Sequence, residues 1–216
     1  MRRPEVKVCG IGRAEDAVLA AQLGATYLGF IFYAPSPRCI DLPAFRDMAG
    51  QLPDVFRVAV DVAPDLEKLE EMRGLEFDFF QIHFPLDQDA DDLAAWSERV
   101  GRDRLWLAPK VAPEDPFPSS LFAHADTFLM DTYRKEGFGG SGRTGDWGRF
   151  RELQSNYPQK NWILAGGLNA ENIGDALDLA QPARVDVSSG VEERPGRKSP
   201  QKLEAFFEKL VTARES

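Results

Sequence analysis

Cysteine, basic charge and long apolar runs are all scarce in this chain. Only two of its 216 residues are cysteines, Cys9 and Cys39, and neither belongs to a C-x-x-C or Cys/His spacing. That excludes a disulfide framework and a structural zinc site, and the usage is that of a reduced, cytoplasmic setting. Twenty-six Lys and Arg stand against 35 Asp and Glu, a net charge of −9. Non-specific binding to nucleic acid or to an anionic membrane needs clustered cations, so both are excluded and any anionic ligand must be held by a local site. No apolar run approaches the roughly 18 residues that span a bilayer. The opening Met1-Arg2-Arg3-Pro4-Glu5 passes into a short apolar stretch without signal-peptide architecture.

What the chain does have is alternation. Short apolar runs are separated by longer amphipathic segments from end to end, the mark of a parallel sheet covered by helices. Strands are expected at Val6–Cys9, Tyr27–Phe32, Phe56–Val60, Phe79–Ile82, Leu105–Leu107, Thr127–Met130, Trp162–Ala165 and Val185–Val187. Their continuous apolarity suits strands buried on both faces. Helices are expected at Ala14–Leu23, Pro64–Met72, Asp87–Val100, Arg149–Tyr157, Glu171–Ala180 and Pro200–Ala213, the last with an apolar stripe at Leu203, Phe206, Phe207 and Leu210. The fifth connection, interrupted by Pro113, Pro116 and Pro118, predicts a turn or two at most.

Eight strands in 216 residues leave 27 residues per unit, close to the minimum for strand, helix and two loops. The whole chain, 1–216, therefore reads as one domain, and no linker or internal repeat interrupts it. An open doubly wound sheet would carry a dinucleotide fingerprint in its first βα turn, but Cys9-Gly10-Ile11-Gly12-Arg13 lacks the third glycine. The fold expected is α/β, a closed (β/α)8 TIM barrel, in which chemistry sits at the C-terminal ends of the strands.

That placement selects the candidates: Cys9, Ser36, Arg38, Asp61, Gln81, His83, Lys110, Asp131, Gly166, Gly167, Asp186, Ser188 and Ser189. Cys9 and Asp131 lie at opposite sides of the strand order, where a thiol and a carboxyl can do acid and base work on a ligand between them. The late loops Ala165-Gly166-Gly167-Leu168-Asn169 and Ser188-Ser189-Gly190-Val191 offer backbone N–H groups, which bind phosphate without net positive charge. Gly137-Phe138-Gly139-Gly140-Ser141-Gly142 matches G-x-G-x-x-G formally, but it lies beyond its strand with no helix expected until about Trp147, and reads as a mobile or ligand-covering loop.

At these residues the chain resembles the phosphoribosylanthranilate isomerases of tryptophan biosynthesis. The likeness is carried in strand register by Lys7-Val8-Cys9-Gly10-Ile11, Leu28-Gly29-Phe30-Ile31-Phe32, Ser36-Pro37-Arg38, Gln81-Ile82-His83, Leu129-Met130-Asp131-Thr132, Gly139-Gly140-Ser141-Gly142, Asp146-Trp147, Leu164-Ala165-Gly166-Gly167-Leu168 and Asp186-Val187-Ser188-Ser189-Gly190-Val191-Glu192. The resemblance implies a barrel acting without metal or organic cofactor on N-(5-phosphoribosyl)anthranilate, a small phosphorylated substrate. It implies Cys9 as general base and Asp131 as general acid, with burial raising the carboxyl and the helix N-terminus after Cys9 lowering the thiol. Arg38 would meet the anthranilate carboxylate. Gly140, Gly142, Gly166, Gly167, Ser188, Ser189 and Gly190 would line the phosphate and sugar side, and Asp186 would contact the ligand's polar groups.

The chain departs from the family at Gly12, where Thr is common, at Phe84, where Gly is usual, at Gly145, where an aromatic precedes Asp146, and in Arg57-Val58-Ala59-Val60-Asp61, which lacks its usual glycine. Two other readings therefore stand beside the first: an isomerase of another aminated phosphosugar, and a catalytically weak phosphate-binding paralogue. Without the resemblance, Cys9 reads as a small buried residue, His83 as an auxiliary hydrogen-bonding group, Asp61 as a loop brace and Lys110 as a solvated lysine in an extended loop. The acidic run Asp87, Asp89, Asp91 and Asp92 reads as the start of a helix. Whether the chain is a monomer or a homodimer is left open by the sequence.

Overall fold

A computed structural model describes residues 3–131 and 146–212. All eight expected strands are present, their ends shifted by up to three residues: β1 (Glu5–Cys9), β2 (Tyr27–Ile31), β3 (Phe56–Val62), β4 (Phe79–Pro85), β5 (Leu105–Lys110), β6 (Thr127–Met130), β7 (Asn161–Leu164) and β8 (Arg184–Val187). They pair in parallel in sequence order, and β8 closes onto β1 with Lys7 opposite Asp186. The (β/α)8 barrel is thus the observed fold.

Seven helices cover the barrel among the described residues: α1 (Ala14–Leu23), α2 (Leu42–Ala49), α3 (Leu66–Arg73), α4 (Ala90–Val100), α5 (Trp147–Asn156), α6 (Ile173–Ala180) and α7 (Pro200–Thr212). Their ends follow local chemistry. Asp41, Asp65, Asp89 and Asp146 each accept a backbone N–H from the first turn that follows, and α1 stops where Gly24 turns left-handed at φ 107°. Asp89 thus gives the acidic run a cap at its centre. The stripe on α7 is wholly buried. The proline-rich fifth connection forms only a 3-10 turn, Ser119–Ala123.

Three features differ from expectation. α2 was not anticipated; it is short, and Pro43 sits in its first turn, where a missing N–H costs nothing. Lys110 is not in a loop: β5 runs through Pro109 and ends on Lys110, which is half-buried. After β8 a 3-10 turn (Ser189–Val191) leads into a small antiparallel hairpin, β9 (Glu192–Arg194) and β10 (Arg197–Lys198), before α7 begins.

Alternation along each strand divides the apolar residues into two sets. Outward residues such as Val6, Val8, Phe30, Phe80, Ile82 and Leu107 pack under the helices. Inward residues, including Tyr27, Val58, Val60, Trp106, Ala108, Leu129, Ile163 and Ala165, fill the barrel with Cys9 among them. The N-terminal end is plugged: Tyr27, Phe56, Phe79 and Trp106 meet with ring centroids 4.8 to 5.8 Å apart, and Glu5 accepts both the Tyr27 hydroxyl at 2.9 Å and Arg184 Nε at 2.6 Å. The C-terminal end stays open, so the strands aim their last side chains into one cavity.

Candidate active site

That cavity holds about 340 Å³, within the usual range for a small-molecule site. Its wall brings together nine of the predicted site residues: Cys9, Arg38, His83, Asp131, Gly166, Gly167, Asp186, Ser188 and Ser189. Ser36, Asp61 and Gln81 line it as well. Gly140 and Gly142 lie outside the described residues. Gly190 is not on the cavity wall but under it, wedged against the Leu168 carbonyl and the Asn169 side chain. The two late loops touch there because no side chain separates them.

At the first strand, Cys9 and Lys7 are two residues apart and so share the inward face. Both are buried, and Gly29 on β2 makes the room: a β-carbon there would stand 2.9 Å from both Cys9 Sγ and Lys7 Nζ. Lys7 is 1% exposed and its ammonium donates to Asp186 Oδ1 at 2.8 Å. Burial opposes that charge, but Asp186 and Cys9 outweigh it and hold Lys7 above the ordinary lysine value. Asp186 therefore reaches the cavity as the partner of a buried cation, besides any contact it makes with a ligand.

The Cys9 thiol departs from expectation. Burial pushes it up and the Lys7 ammonium pulls it back only in part, so it titrates above the ordinary thiol value rather than below it. The helix that was to lower it, α1, begins only at Ala14 and carries Glu15 and Asp16 in its first turn. The cation that acts most on the thiol is Lys7, from its own strand, with a smaller contribution from Lys198.

On β4, Gln81 Nε2 lies 2.8 Å from His83 Nε2. Burial, with Lys7 nearby, lowers His83 to about 4, so the imidazole is neutral at physiological pH and serves as a hydrogen-bonding group. Gln81 Oε1 and Ser188 Oγ are buried without a hydrogen-bond partner among the described residues. Two unsatisfied polar atoms on one cavity wall suit a polar ligand. Asp61 is 1% exposed and pairs with Lys68 at 2.7 Å, while Lys68 also donates to the Phe32 carbonyl at 2.8 Å. It braces the β2 and β3 ends, as expected.

The phosphate-type loop after β7 turns on Gly166 (φ 93°) and Gly167 (φ 64°), both in the left-handed region. Asn172 Nδ2 donates to the Gly167 carbonyl at 2.9 Å, and Asn169 Oδ1 accepts from Glu171 and Asn172 N–H at 2.8 and 3.2 Å. The loop is thereby fixed as it leads into α6. Across the cavity, Arg38 meets Glu192 through Nε at 3.0 Å to both oxygens and Nη2 at 2.8 Å to Oε2.

Comparison with known proteins agrees with this geometry. The family model for N-(5'-phosphoribosyl)anthranilate isomerase matches residues 6–209. The chain belongs to that family. It is 38% identical over 212 residues to the N-(5'-phosphoribosyl)anthranilate isomerase of Pseudomonas putida strain W619, covering 96% of this chain and 97% of the relative. It is 34% identical over 211 residues to that of Parvibaculum lavamentivorans, covering 94% and 96%. The crystal structure of the Thermus thermophilus phosphoribosyl anthranilate isomerase superposes with a TM-score of 0.80 at 34% identity, covering 97% of this chain and all of that one. A family structure in complex with reduced 1-(o-carboxyphenylamino)-1-deoxyribulose 5-phosphate superposes with a TM-score of 0.74 at 30% identity, covering 97% and 99%.

Two of the family departures fall away from the cavity. Gly12 faces the Gly196 carbonyl of the hairpin, where an added β-carbon would be 3.0 Å away, and Phe84 packs outward edge-on to Trp96 at 5.9 Å. Gly145 lies outside the described residues, and of the third strand Val60, Asp61 and Val62 reach the wall. Sequence reasoning missed Lys7, Glu192 and Lys198. The signal for Lys7 was available: a lysine inside an apolar strand run, two residues before the candidate thiol, must share its face.

Proposed function

We propose that this chain catalyses the Amadori rearrangement of N-(5-phosphoribosyl)anthranilate to 1-(2-carboxyphenylamino)-1-deoxyribulose 5-phosphate, a step of tryptophan biosynthesis, in the cytoplasm and within a single domain. The observation that carries the reading is one cavity with a thiol at β1, a carboxyl after β6, an arginine after β2 and two hydrogen-bonding loops after β7 and β8.

In this reading the Asp131 carboxyl protonates the furanose ring oxygen. The bond from that oxygen to C1 breaks, and the anthranilate nitrogen lone pair closes a C=N bond to give the Schiff base. The Cys9 thiolate then takes the proton from C2, and the electrons pass through a new C1=C2 bond back to nitrogen. The enolamine moves its hydroxyl proton to C1 and becomes the amino ketone, so substrate and product are isomers. Lys7 gives the thiolate a counter-charge where burial otherwise opposes ionisation. Gly166, Gly167, Ser188 and Ser189 receive the phosphate on backbone N–H and hydroxyl groups, and Arg38 receives the carboxylate.

Turnover of freshly prepared phosphoribosylanthranilate, followed by loss of anthranilate fluorescence beside an aminated phosphosugar of histidine biosynthesis, is the test. Conversion of the first and not the second is expected. Binding without turnover of either would establish the weak paralogue instead. Cys9→Ser and Asp131→Asn should each lower kcat by about 10²-fold or more while unfolding at the wild-type temperature; near-wild-type turnover in either removes that residue from its role.

A further inference from the structure

Lys198 is among the most deeply buried charged side chains in the protein, and the chemistry above makes no use of it. Its ammonium is fully enclosed, donates to the Cys9 carbonyl and to Ser188 O at 3.3 Å, and pairs with Glu192 Oε1 at 3.0 Å. Burial pulls it below the ordinary lysine value and Glu192 holds it up. The β9–β10 hairpin sets the pair face to face, since Lys198 and Glu192 are register partners. Glu192 is 3% exposed in its side chain and also accepts Gly196 N–H at 3.2 Å and the Arg38 fork. Asp16 accepts the Lys198 backbone N–H at 3.1 Å and is already paired with Arg13 at 2.6 Å.

The arrangement counts two cations, Arg38 and Lys198, against one anion, Glu192. Glu192 is thus shared between the two, and of the two cations Arg38 is the one that lines the cavity. Glu192 engages Nε and Nη2, and among the described residues no hydrogen bond occupies the Nη1 side of the planar fork.

We propose that Glu192 and Lys198 are positioning residues for the substrate's carboxylate. Glu192 fixes the plane of Arg38, and Lys198 supplies the second charge that keeps Arg38 from being neutralised by its own partner. A ligand carboxylate then completes a balanced set of two cations and two anions. This rests on the isomerase reading for the identity of the ligand, and it assigns the discrimination between a carboxylated and a plain aromatic amine to a hairpin outside the cavity.

The test measures binding of two stable ligands by calorimetry: the reduced carboxyphenylamino deoxyribulose phosphate, and its counterpart lacking the carboxyl group. Wild type, Glu192→Gln and Lys198→Met are compared, with thermal unfolding recorded for each. Both variants should bind the carboxylated ligand about 10- to 100-fold more weakly, the range for losing a charge-assisted contact, and bind the carboxyl-free ligand within about twofold of wild type. Equal weakening of both ligands, or of neither, overturns the proposal. Glu192→Gln conserves shape and keeps the test valid should Lys198→Met fail to fold. Wild-type turnover is measured alongside: turnover with no variant discrimination sinks this proposal alone, and discrimination without turnover sinks the isomerase reading alone.

Discussion

Gly190→Ala tests whether the two late loops work as one unit. Gly190 does not need glycine for a left-handed backbone; it needs it for closeness. An added β-carbon would stand 2.8 Å from Asn169 Cβ and 2.9 Å from the Leu168 carbonyl carbon, at least half an ångström inside ordinary contact, and would intrude further on the carbonyl oxygen. Neither neighbour is a flexible tip. Leu168 is 1% exposed, and Asn169 is tied to Glu171 and Asn172. The loop after β8 must therefore move off the loop after β7. Overpacking of this kind costs about 1–3 kcal/mol, which for a chain of this size lowers the Tm by roughly 2–12 °C. On the proposed reading, in which N–H groups from both loops hold the phosphate, the separated loops should also raise KM about 10-fold or more with a smaller change in kcat. Gly50→Ala is the matched control: Gly50 ends α2 at φ −71° with nothing within 4 Å of the added carbon, so it should gain about 0.4–1 kcal/mol from a less flexible unfolded chain. Differential scanning calorimetry and steady-state kinetics on both variants decide. A Gly190→Ala protein with wild-type Tm and KM would refute the contact between the loops.

Other consequences are open to measurement. Lys7→Met takes the ion-pair partner from Asp186, a half-buried carboxylate on the cavity wall, and should cost about 1–3 kcal/mol in urea unfolding. Adding Asp186→Asn should restore most of that stability but not turnover; recovery of activity in the double variant would show that Lys7 only neutralises Asp186. His83 should remain neutral from pH 8 down to about 5 in an NMR titration, since it titrates near 4. Because the folded value lies below the ordinary 6.5, its contribution is complete above that pH and is lost as pH falls towards 4, by an amount of the order of 3 kcal/mol; an imidazole that protonates near 6.5 would contradict its burial. Tyr27, raised to about 12 mainly by burial and by Glu5, should ionise well above the ordinary tyrosine value of about 10 in an alkaline absorbance titration.

What was legible in the sequence follows from which signals are local. The strands were readable because each is buried on both faces and so is apolar without interruption. The wall residues were readable because a barrel puts its chemistry at strand ends. The hairpin was not: Glu192, Glu193, Arg194, Arg197 and Lys198 look like a solvated loop, and only the fold encloses Glu192 and Lys198. The thiol's environment was not either, since burial depends on what Gly29 and the rest of the barrel surround it with. The resemblance places Gly190 at the ligand, and no local signal tells of its close approach to Leu168 and Asn169, which only the fold creates.

The seam between β1 and β8 has a consequence for how the molecule is made. Lys7 finds Asp186, Asp16 finds Lys198 N–H, and the Cys9 carbonyl finds Lys198 Nζ, at separations of 179, 182 and 189 residues. At ribosomal rates of about 5–20 residues per second, the first strand waits roughly 10–35 s for those partners to be synthesised. Until then its lysine and its thiol have no enclosed site to occupy. The nascent barrel must carry that polar edge in water, and the last quarter-turn of the sheet brings the first residues and the last together in a single closing step, dominated by the slowest class of contact a chain can form.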